Sequence, residues 1–593
     1  MIPTRGQCET DLRPINWMQV KVRLESCHLR LTRSSMPLAG NHAGEFTRIG
    51  LSFPFDMKCP GWKNRFQVVY ALSIIIIMSC TMSQGANILV VPADGSHWIN
   101  MRILIEELKL NGHNNTVFYF STTWYVNEQP DLYRSIMVEL QGNLGKTTSE
   151  DILRRFVQKS MDILQNGSTP WDFIKFQYKL MSFMYTCHSS VQKLSILVFE
   201  NKTLLSQLEN LHFDLVLADP VFPIGPMLAY YLKLPLVYNV RWLASGEAHF
   251  LFVPSPLSYI PIPGSRLTDK MSFLQRTKNV ILSLLQLSVT KFLIHPMYNE
   301  LYHRYLGPDT DIETILLGAD VWLMRADFIF EFPRPTMPNI VYIGGFQCKP
   351  SKPLAAEFEE LIQSSGEHGI IVMSLGTMVS SLPMHISMKI AEAFAQVPQK
   401  VIWRYEGKIP SNIENNTLLT KWIPQNDLLG HPKTRAFISH GGTNGVYEAI
   451  YHGVPMVGIP LFFDQFDNLL RLEIRGAAKV MDFTAMQSTD LLQALSEVIN
   501  NTSYRDNMQK LSALHRDQPE SPMERAIFWI EYVARHKGAA HLRSEFYRLP
   551  WYAYYCVDVM VFLLSLFLFV TVLLALLLKE LCKITHKKKQ KTQ

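Results

Sequence analysis

The apolar residues along the chain predict strands and helices that alternate. From residue 86, the segments ANILVVPA, WINMRILIEELKLNG and NTVFYF predict a strand, a helix and a second strand. That order is typical of a parallel sheet with helical connections. Further strands are predicted at residues 213–219 (FDLVLAD) and 234–240 (LPLVYNV), and the aromatic-rich sequence before them, including FQYKLMSFMYTCH, is predicted to be irregular.

A second series of strands and helices begins at GIIVMSLGT and ends at AAKVMDF. The segment QCKPSKPLAAEF precedes it, and its two prolines and two lysines are typical of a linker. Because 593 residues exceed the usual size of one hydrophobic core, we expect two doubly wound, Rossmann-like α/β domains that face a cleft. The predicted domains comprise residues 86–347 and 348–550.

One apolar run lies outside this alternating pattern. Residues 559–578, VMVFLLSLFLFVTVLLALLL, carry no charge and match the roughly 20 residues that cross a bilayer core. We interpret them as a transmembrane helix, and the alternative is a buried core helix. The tail at residues 579–593 is rich in lysine, which favours the cytosolic side, so both domains are expected across the membrane from it.

The sequence before residue 86 is interpreted as two segments. Residues 57–85 combine a basic start, KCPGWKNR, an apolar run, FQVVYALSIIIIM, and a small-residue region, SCTMSQG, as a signal peptide does. Residues 1–56 show no such pattern and carry scattered charges. We interpret them as an upstream extension or a misassigned start codon, and the alternative is a genuine cytosolic or targeting segment.

Further features favour the lumen of the endoplasmic reticulum. Lys589 and Lys591 resemble a dilysine retrieval signal of type I membrane proteins. Of eight cysteines, only Cys187 and Cys348 are expected in the lumen, which argues against a disulfide scaffold. The net charge of +6 calls for no nucleic-acid partner, because lysines concentrate in the tail. Candidate glycosylation sites are Asn114, Asn166, Asn201, Asn415, Asn500 and Asn501.

The segment FISHGGTNGVYEAIYHGVPMVGIPLFFDQFDN, residues 437–468, concentrates glycine and polar residues. The predicted strand RAFISH runs into GGTNG and then a helix, and a helix N-terminus after a parallel strand suits a diphosphate. Such glycine turns also serve merely to pack a strand against a helix. Glu448 lies one turn after Asn444 and is expected to reach a ribose diol. Asp464 and Gln465 follow the next strand and offer an acceptor and an amide to sugar hydroxyls.

This segment resembles the nucleotide-sugar signature of the UDP-glycosyltransferases. From residue 86 to the tail, the chain is similar to the vertebrate UDP-glucuronosyltransferases, nearest their second subfamily. The same likeness is carried by SSGEHGIIVMSLGTMVSS, VPQKVIWRYEGKIP, TKWIPQNDLLGHPKTRAFISHGG and MERAIFWIEYVARHKGAAHLR. Residues 1–56 and details of the first half depart from it. The resemblance implies a GT-B fold whose C-terminal domain binds UDP-glucuronate as co-substrate, with no cofactor.

The resemblance also implies roles for single donor-site residues. Trp422 is expected to stack on uracil, Gln425 to contact uracil or ribose, and Glu448 to bind the ribose hydroxyls. The residues expected around the diphosphate are Ser374, Arg404, His440, Asn444 and Gly445, and those expected to hold the sugar are Asp464 and Gln465. From the residues alone, Trp422 is equally a core aromatic and Arg404 a surface cation.

Catalysis is expected from the first domain. The strand ANILVVPA leads into GSHW, which puts His97 at the mouth of the cleft, where a neutral imidazole suits removal of a hydroxyl proton. Asp219, at the end of FDLVLAD, matches the family's partner that orients this ring. From the residues alone, both are equally capping or surface groups. The implied mechanism is a single inverting displacement at the sugar C1, with helix N–H groups and Arg404 stabilising the diphosphate and no metal in that role.

The acceptor is expected to be small and lipophilic, such as a steroid, a phenol or a xenobiotic, and to carry a hydroxyl or carboxyl group. The apolar residues expected near it, which are equally compatible with a core, are Phe173, Phe176, Tyr178, Phe183, Tyr185 and residues 250–252. Two alternatives stay open: transfer of another UDP-hexose, and a membrane-anchored nucleotide-sugar-binding protein without catalysis. Association with itself or with related transferases also stays open.

Overall fold

The structure is a computed structural model. It describes residues 85–140, 155–156, 170–221, 223–240, 253–377, 379, 382–483 and 485–591. Residues 1–56, most of 57–85 and residues 250–252 lie outside this described part, so the interpretations made for them stay predictions. The domain limits at 347/348 and 550 also stay predictions.

In the described residues, the first domain is built on a seven-stranded sheet in which all strand pairs are parallel. Its strands are β1 (Asn87–Val91), β2 (Asn114–Phe120), β3 (Arg134–Val138), β4 (Leu215–Ala218), β5 (Leu236–Val240), β6 (Val321–Met324) and β7 (Ile340–Tyr342). The spatial order is β3-β2-β1-β4-β5-β6-β7. Since the order reverses between β1 and β4, their carboxyl ends border a crevice.

Helices cover both faces of this sheet, which is why its central strands are continuous apolar runs. The helices are α1 (Ser96–Leu110), α2 (Pro170–Glu200), α3 (Lys202–Asn210), α4 (Ile224–Leu232), α5 (Phe273–Val289), α6 (His295–Tyr305) and α7 (Ile312–Leu317). A π-helical turn, Thr290–Ile294, joins α5 to α6. The region predicted to be irregular is in fact helix α2. Side chains between residues 180 and 194 of this helix border a cavity, whereas Trp171 and Tyr178 are exposed, so its apolar residues do not all face one core.

The second domain has a six-stranded sheet, again with parallel pairing throughout the described part. Its strands are β8 (Ile370–Ser374), β9 (Lys400–Arg404), β10 (Thr417–Thr420), β11 (Thr434–Ser439), β12 (Met456–Gly458) and β13 (Ala478–Val480). Their spatial order is β10-β9-β8-β11-β12-β13. The two parallel, doubly wound sheets confirm the predicted fold class.

The remaining helices surround the second sheet or lead to the tail. They are α8 (Ala356–Gln363), α9 (Met384–Ala395), α10 (Gln425–Leu429), α11 (Thr443–His452), α12 (Gln465–Glu473), α13 (Ser488–Asn500), α14 (Thr502–Arg516), α15 (Pro522–His536), α16 (Trp551–Tyr554) and α17 (Val557–Lys591). Helix α15 returns to the first domain, because Ile527, Ile530 and Val533 share a core with Ile88 and Val90 of β1.

Two helical stretches in the described part are long and apolar enough to cross a membrane. One is Val557–Lys587, which contains the predicted transmembrane residues 559–578. The other is Phe273–Tyr305, comprising α5, the π-helical turn and α6, which the sequence reading did not single out. The first fits a single membrane anchor at the C-terminal end of the chain.

Candidate active site

A large cavity lies between the two sheets, and all the predicted catalytic and donor residues border it. Its volume is about 2380 Å³. Small-molecule sites in proteins commonly measure roughly 300–1,000 Å³. The cavity therefore has room for a donor and an acceptor together.

His97 and Asp219 form a hydrogen-bonded pair on the first-domain side of this cavity. His97 lies in the first turn of α1, directly after β1, and Asp219 directly follows β4, so both occupy the crevice between these adjacent strands. His97 Nδ1 is 2.6 Å from Asp219 Oδ2, and both side chains are largely buried. Asp219 Oδ1 accepts the N–H of Val221 at 2.9 Å, which fixes the carboxylate. With Nδ1 as the donor, the imidazole carries its lone pair on Nε2, as a general base requires.

Asp94 holds the turn that presents His97, and sequence reasoning missed it. Its Oδ1 accepts the N–H groups of Gly95 at 2.7 Å and Tyr125 at 3.0 Å, and its Oδ2 accepts that of Trp124 at 2.7 Å. Gly95 has a φ of 75°, which favours glycine, and this conformation turns the chain from β1 into α1. Asp94 therefore positions the start of α1, where His97 lies.

Helix α11 begins at the cavity, and the ring of His440 packs on the glycines around it. A Cβ atom on Gly376 would lie 2.6 Å from the His440 ring, and one on Gly442 would lie 2.5 Å from it. Both positions therefore need glycine. Ser374, at the end of β8, is buried, and its Oγ accepts the N–H of Gly376 at 3.4 Å. These residues form a close-packed wall beside the N–H groups at the start of α11.

Asn444, in the first turn of α11, connects the N-terminus of this helix to the first domain. Its Oδ1 accepts from Nδ2 of Asn100 at 2.9 Å and from Nη2 of Arg325 at 2.6 Å. Asn100 lies one turn after His97 on α1, and Arg325 directly follows β6 and is buried. The sequence reading missed both partners, although an arginine that ends the apolar run VWLM was a visible signal. Helices α1 and α11 are therefore in direct contact.

Gly445 follows Asn444 on α11 and allows close packing there. A Cβ atom at this position would lie 3.2 Å from the ring of Phe437 and 3.5 Å from Nε2 of Gln425. Gln425 donates from that same Nε2 to Oε2 of Glu448 at 2.6 Å. Burial raises the pKa of Glu448 to about 7, while the hydrogen bond from Gln425 acts in the lowering direction. The predicted ribose carboxylate thus already has an amide partner.

Trp422 and Arg404 lie next to each other on the donor side. Trp422 is 64% exposed, so it is not a core aromatic, and it borders the cavity. The Arg404 guanidinium lies 5.5 Å from the centre of its ring. Arg404 also donates to the carbonyls of Gly376 at 2.5 Å and Lys421 at 3.0 Å. Hydrogen bonds therefore hold the Arg404 guanidinium in the cavity wall, so it is not an unattached surface charge.

Asp464 and Gln465 lie where β12 leads into α12, as predicted. Asp464 Oδ2 accepts from Thr443 Oγ1 at 3.0 Å and from Asn468 Nδ2 at 2.8 Å. Gln465 is buried, and its Oε1 accepts the N–H groups of Leu461 at 2.8 Å and Phe462 at 2.9 Å. Its carbonyl oxygen thus holds the turn, and Nε2 is the atom of the amide predicted to meet a sugar.

The predicted acceptor residues are only partly assembled around the cavity. Phe183 and Tyr185 of α2 border it. Tyr178 is on the same helix but is 70% exposed and does not border the cavity. The side chains of Phe173 and Phe176 and residues 250–252 lie outside the described residues. In the described part of the chain, no group of three or more His, Cys, Asp or Glu side chains is arranged to hold a metal ion.

Two doubly wound domains around a cleft define the architecture of a GT-B glycosyltransferase. Among solved structures, that of a UDP-glucosyltransferase from Polygonum tinctorium aligns with a TM-score of 0.50 at 14% identity, over 77% of this chain and 100% of the other. This likeness shows the fold. A family profile described as "UDP-glucoronosyl and UDP-glucosyl transferase" matches residues 86–592.

Relatives of high similarity support the same class. UDP-glucuronosyltransferase 2A2 of Mus musculus is 45% identical over 496 residues, which are 83% of this chain and 93% of the relative. UDP-glucuronosyltransferase 2A2 of Homo sapiens is 43% identical over 498 residues, 83% of this chain and 91% of the relative. The chain therefore belongs to the UDP-glycosyltransferase family and is a glycosyltransferase enzyme.

Proposed function

We propose that the protein transfers glucuronic acid from UDP-glucuronate to hydroxyl or carboxyl groups of small lipophilic acceptors, which yields β-glucuronides and UDP. The observation that carries this proposal is the contact between Asn100 and Asn444. It brings the helix of His97 against the N-terminus of α11, which supports a general base and a diphosphate site that share one cavity. The names of the relatives support glucuronate as the transferred sugar.

The proposed reaction is a single displacement. His97 takes the proton from the acceptor hydroxyl as its oxygen bonds to C1 of the sugar, and the bond between C1 and the diphosphate oxygen breaks. Asp219 orients the ring and stabilises the imidazolium that forms. The start of α11, with Arg404 in the adjoining wall, stabilises the charge on the departing UDP. Attack opposite the leaving group converts an α-linked donor into a β-linked product.

Within the same proposal, Arg325 recognises the carboxylate of the sugar. A buried guanidinium in the cleft matches an anionic sugar better than a neutral hexose, because charge-assisted hydrogen bonds are about twice as strong as neutral ones. Arg325 also borders the cavity and contacts the start of α11 through Asn444. Both features support a cation beside the proposed diphosphate site.

The acceptor side of the cavity supports a lipophilic substrate. Besides Phe183 and Tyr185, its wall includes Leu180, Met184 and Leu194 of helix α2. Such a wall offers apolar contact area and few polar groups, so we infer selection by size and hydrophobicity.

The decisive experiment offers UDP-glucuronate, UDP-glucose, UDP-galactose and UDP-N-acetylglucosamine to recombinant microsomes with a panel of phenols and steroids. Glucuronide formation with UDP-glucuronate in clear preference to the others is expected. Preference for a neutral sugar would favour another hexosyltransferase, and UDP binding without any product would favour a non-catalytic binder.

Variants of Arg325 test the sugar specificity itself. Arg325→Gln should lower the preference for UDP-glucuronate over UDP-glucose, whereas Arg325→Lys should retain most of it because the charge remains. An equal loss on both sugars would instead indicate that Arg325 acts by holding Asn444.

A further inference from the structure

A histidine lies among the apolar side chains with which helix α2 lines the acceptor side of the cavity. His188 borders the cavity together with Val191 and Leu194, which follow it on the same helix. Burial lowers the pKa of His188, so its ring is neutral near neutral pH. A neutral imidazole carries one N–H donor and one lone pair, so the two ring nitrogens have different roles.

The hydroxyl of Tyr298, on helix α6, determines which nitrogen of His188 carries the proton. His188 Nδ1 lies 2.7 Å from the Tyr298 oxygen. If Nδ1 were the donor, the described part of the chain would leave the Tyr298 hydroxyl only the backbone carbonyl of His188, at 3.5 Å. That distance is too long for a good O–H···O bond. The hydroxyl therefore donates to Nδ1, and the ring proton of His188 lies on Nε2.

Contacts between α2 and α6 hold this ring in place. Gln192, one turn after His188, donates from its side chain to the carbonyl of Met297 at 2.7 Å. Tyr298 is buried in the core of the first domain, and its ring meets that of His188 edge to face at 5.6 Å. Nε2 of His188 makes no hydrogen bond to the described residues. Its N–H is therefore a preorganised donor at the cavity wall.

This donor lies further along α2 than the part of the helix that meets the second domain. Phe183 stacks on Phe156 with ring centres 4.2 Å apart, and Phe156 lies 6.1 Å from Phe462, two residues before Asp464. His188 follows Phe183 by five residues, and a helix rises about 1.5 Å per residue, so the separation along the axis is about 7.5 Å. An acceptor that reacts beside the sugar would therefore meet His188 with its opposite end.

We propose that the Nε2–H group of His188 is a subsite for a carbonyl oxygen at the distal end of a lipophilic acceptor. A carbonyl accepts this hydrogen bond, whereas a methylene group in its place leaves the donor unpaired, so the subsite selects acceptors with a polar group at each end. Tyr298 is then a positioning residue, because its hydroxyl keeps the ring proton on Nε2. The inference rests on the proposed function, which puts the reacting end of the acceptor beside His97.

The test measures equilibrium binding of two steroids to the full chain in detergent, with UDP present so that no transfer occurs. Testosterone carries a hydroxyl at one end and a ketone at the other, and its analogue carries a methylene group in place of the ketone. The measured quantity is the ratio of the two affinities. Partition of the steroids into detergent affects this ratio equally in every variant, so differences between variants report the subsite alone.

His188→Phe keeps a ring but removes the N–H, so it should lower the preference for the ketone by about 3- to 10-fold. His188→Gln should retain most of the preference, because its amide N–H can donate from a similar position. Tyr298→Phe should lower the preference in part, because the ring proton is no longer fixed on Nε2. His303→Phe, at an exposed position on α6, is the matched control and should bind like the unchanged protein.

Two results would overturn the proposal. The same ratio in the unchanged protein and in His188→Phe would show that this ring does not bind the ketone, and failure of both steroids to bind would show that the cavity does not accept such molecules. Retained UDP binding by each variant shows that it is folded. Since no sugar is transferred in this experiment, its outcome is separate from that of the UDP-sugar assay, which tests the proposed function.

Discussion

Asp467 of the second domain accepts the backbone N–H of Gly264 from the first domain at 2.5 Å. Its other carboxylate oxygen accepts the N–H of Arg266 at 3.1 Å. On the same helix, α12, Arg471 forms a salt bridge of 2.8 Å with Glu331 of the first domain. Helix α12, which begins at the proposed sugar-binding residues, is therefore bonded to the first domain. Asp467 is well placed to hold the cleft closed.

Replacement of Asp467 tests whether its hydrogen bonds hold the cleft closed. Asp467→Asn removes charge-assisted bonds worth roughly 1.5–3 kcal/mol, so turnover should fall by up to about 10- to 150-fold. UDP affinity should change little, because the nucleotide residues lie elsewhere in the second domain. Steady-state kinetics and UDP titration measure the two effects. Asp506→Asn, on the exposed face of α14, is the matched control, and equal behaviour of the two variants would contradict the assignment.

Glu448 is expected to bind the ribose of the donor. Glu448→Ala removes a carboxylate acceptor worth roughly 1.5–3 kcal/mol, which corresponds to a loss of donor affinity of about 10- to 150-fold. The KM of the acceptor should hardly move. Isothermal titration with UDP measures the change directly. Unchanged UDP binding would show that the glutamate has another role.

The protonation of Glu448 should also appear in the stability of the protein. Burial raises its pKa from the ordinary 4.5 to about 7, so between these values the folded chain binds more protons than the unfolded chain. The free energy of unfolding should therefore fall as the pH rises through this window. The stabilisation contributed by protonated Glu448 is complete only below the lower of the two pKa values.

The measurement compares thermal midpoints at the two ends of that window. The midpoint of Glu448→Gln should decline less than that of the unchanged protein, because the variant cannot titrate there. Glu357→Gln, at an exposed position on α8, is the control and should decline like the unchanged protein. Parallel decline of all three would refute the proposed titration.

The sequence predicts the positions of strands better than the contacts between domains. Central parallel strands such as β4 are continuous apolar runs, which makes them predictable from the sequence. The ends of such strands locate His97 and Asp219, but the roles expected of the two residues come from the family resemblance. Their 2.6 Å contact depends on β1 pairing with β4, which no local pattern specifies.

Contacts across the cleft cannot be predicted from the sequence either, because no local pattern specifies them. Asn100 and Asn444 are 344 positions apart, and neither has a local pattern that names its partner. Arg325 and Asp467 were missed because an arginine after a strand and an aspartate in a helix do not by themselves reveal a partner in the other domain. Helix α2 was missed because its aromatic side chains do not share one buried face: Phe183 and Tyr185 border a cavity, whereas Tyr178 is exposed.

The proposed topology puts both domains in the lumen and the lysine-rich tail in the cytosol. Protease added to sealed microsomes should remove only the tail at residues 579–593, because the membrane shields everything before it. Detergent should then expose the domains to digestion. Loss of the domains without detergent would overturn the arrangement.

Variants of His97 and Asp219 test whether His97 acts as a general base or only positions other groups. If His97 is the general base, His97→Ala should abolish transfer to alcohols and weakly acidic phenols, while UDP binding persists because the donor residues belong to the other domain. Asp219→Asn should behave similarly, since an amide can orient the ring but cannot balance the charge of an imidazolium.

Carboxylic acids provide the internal control for this prediction. They are already ionised near neutral pH and need no proton removed, so their glucuronidation should survive His97→Ala far better than that of an alcohol of similar shape. Turnover of matched alcohol and carboxylate substrates by each variant measures the difference. Equal loss on both substrates would assign His97 a positioning role through its contact with Asp219, and undiminished turnover of the alcohol would eliminate it as the base.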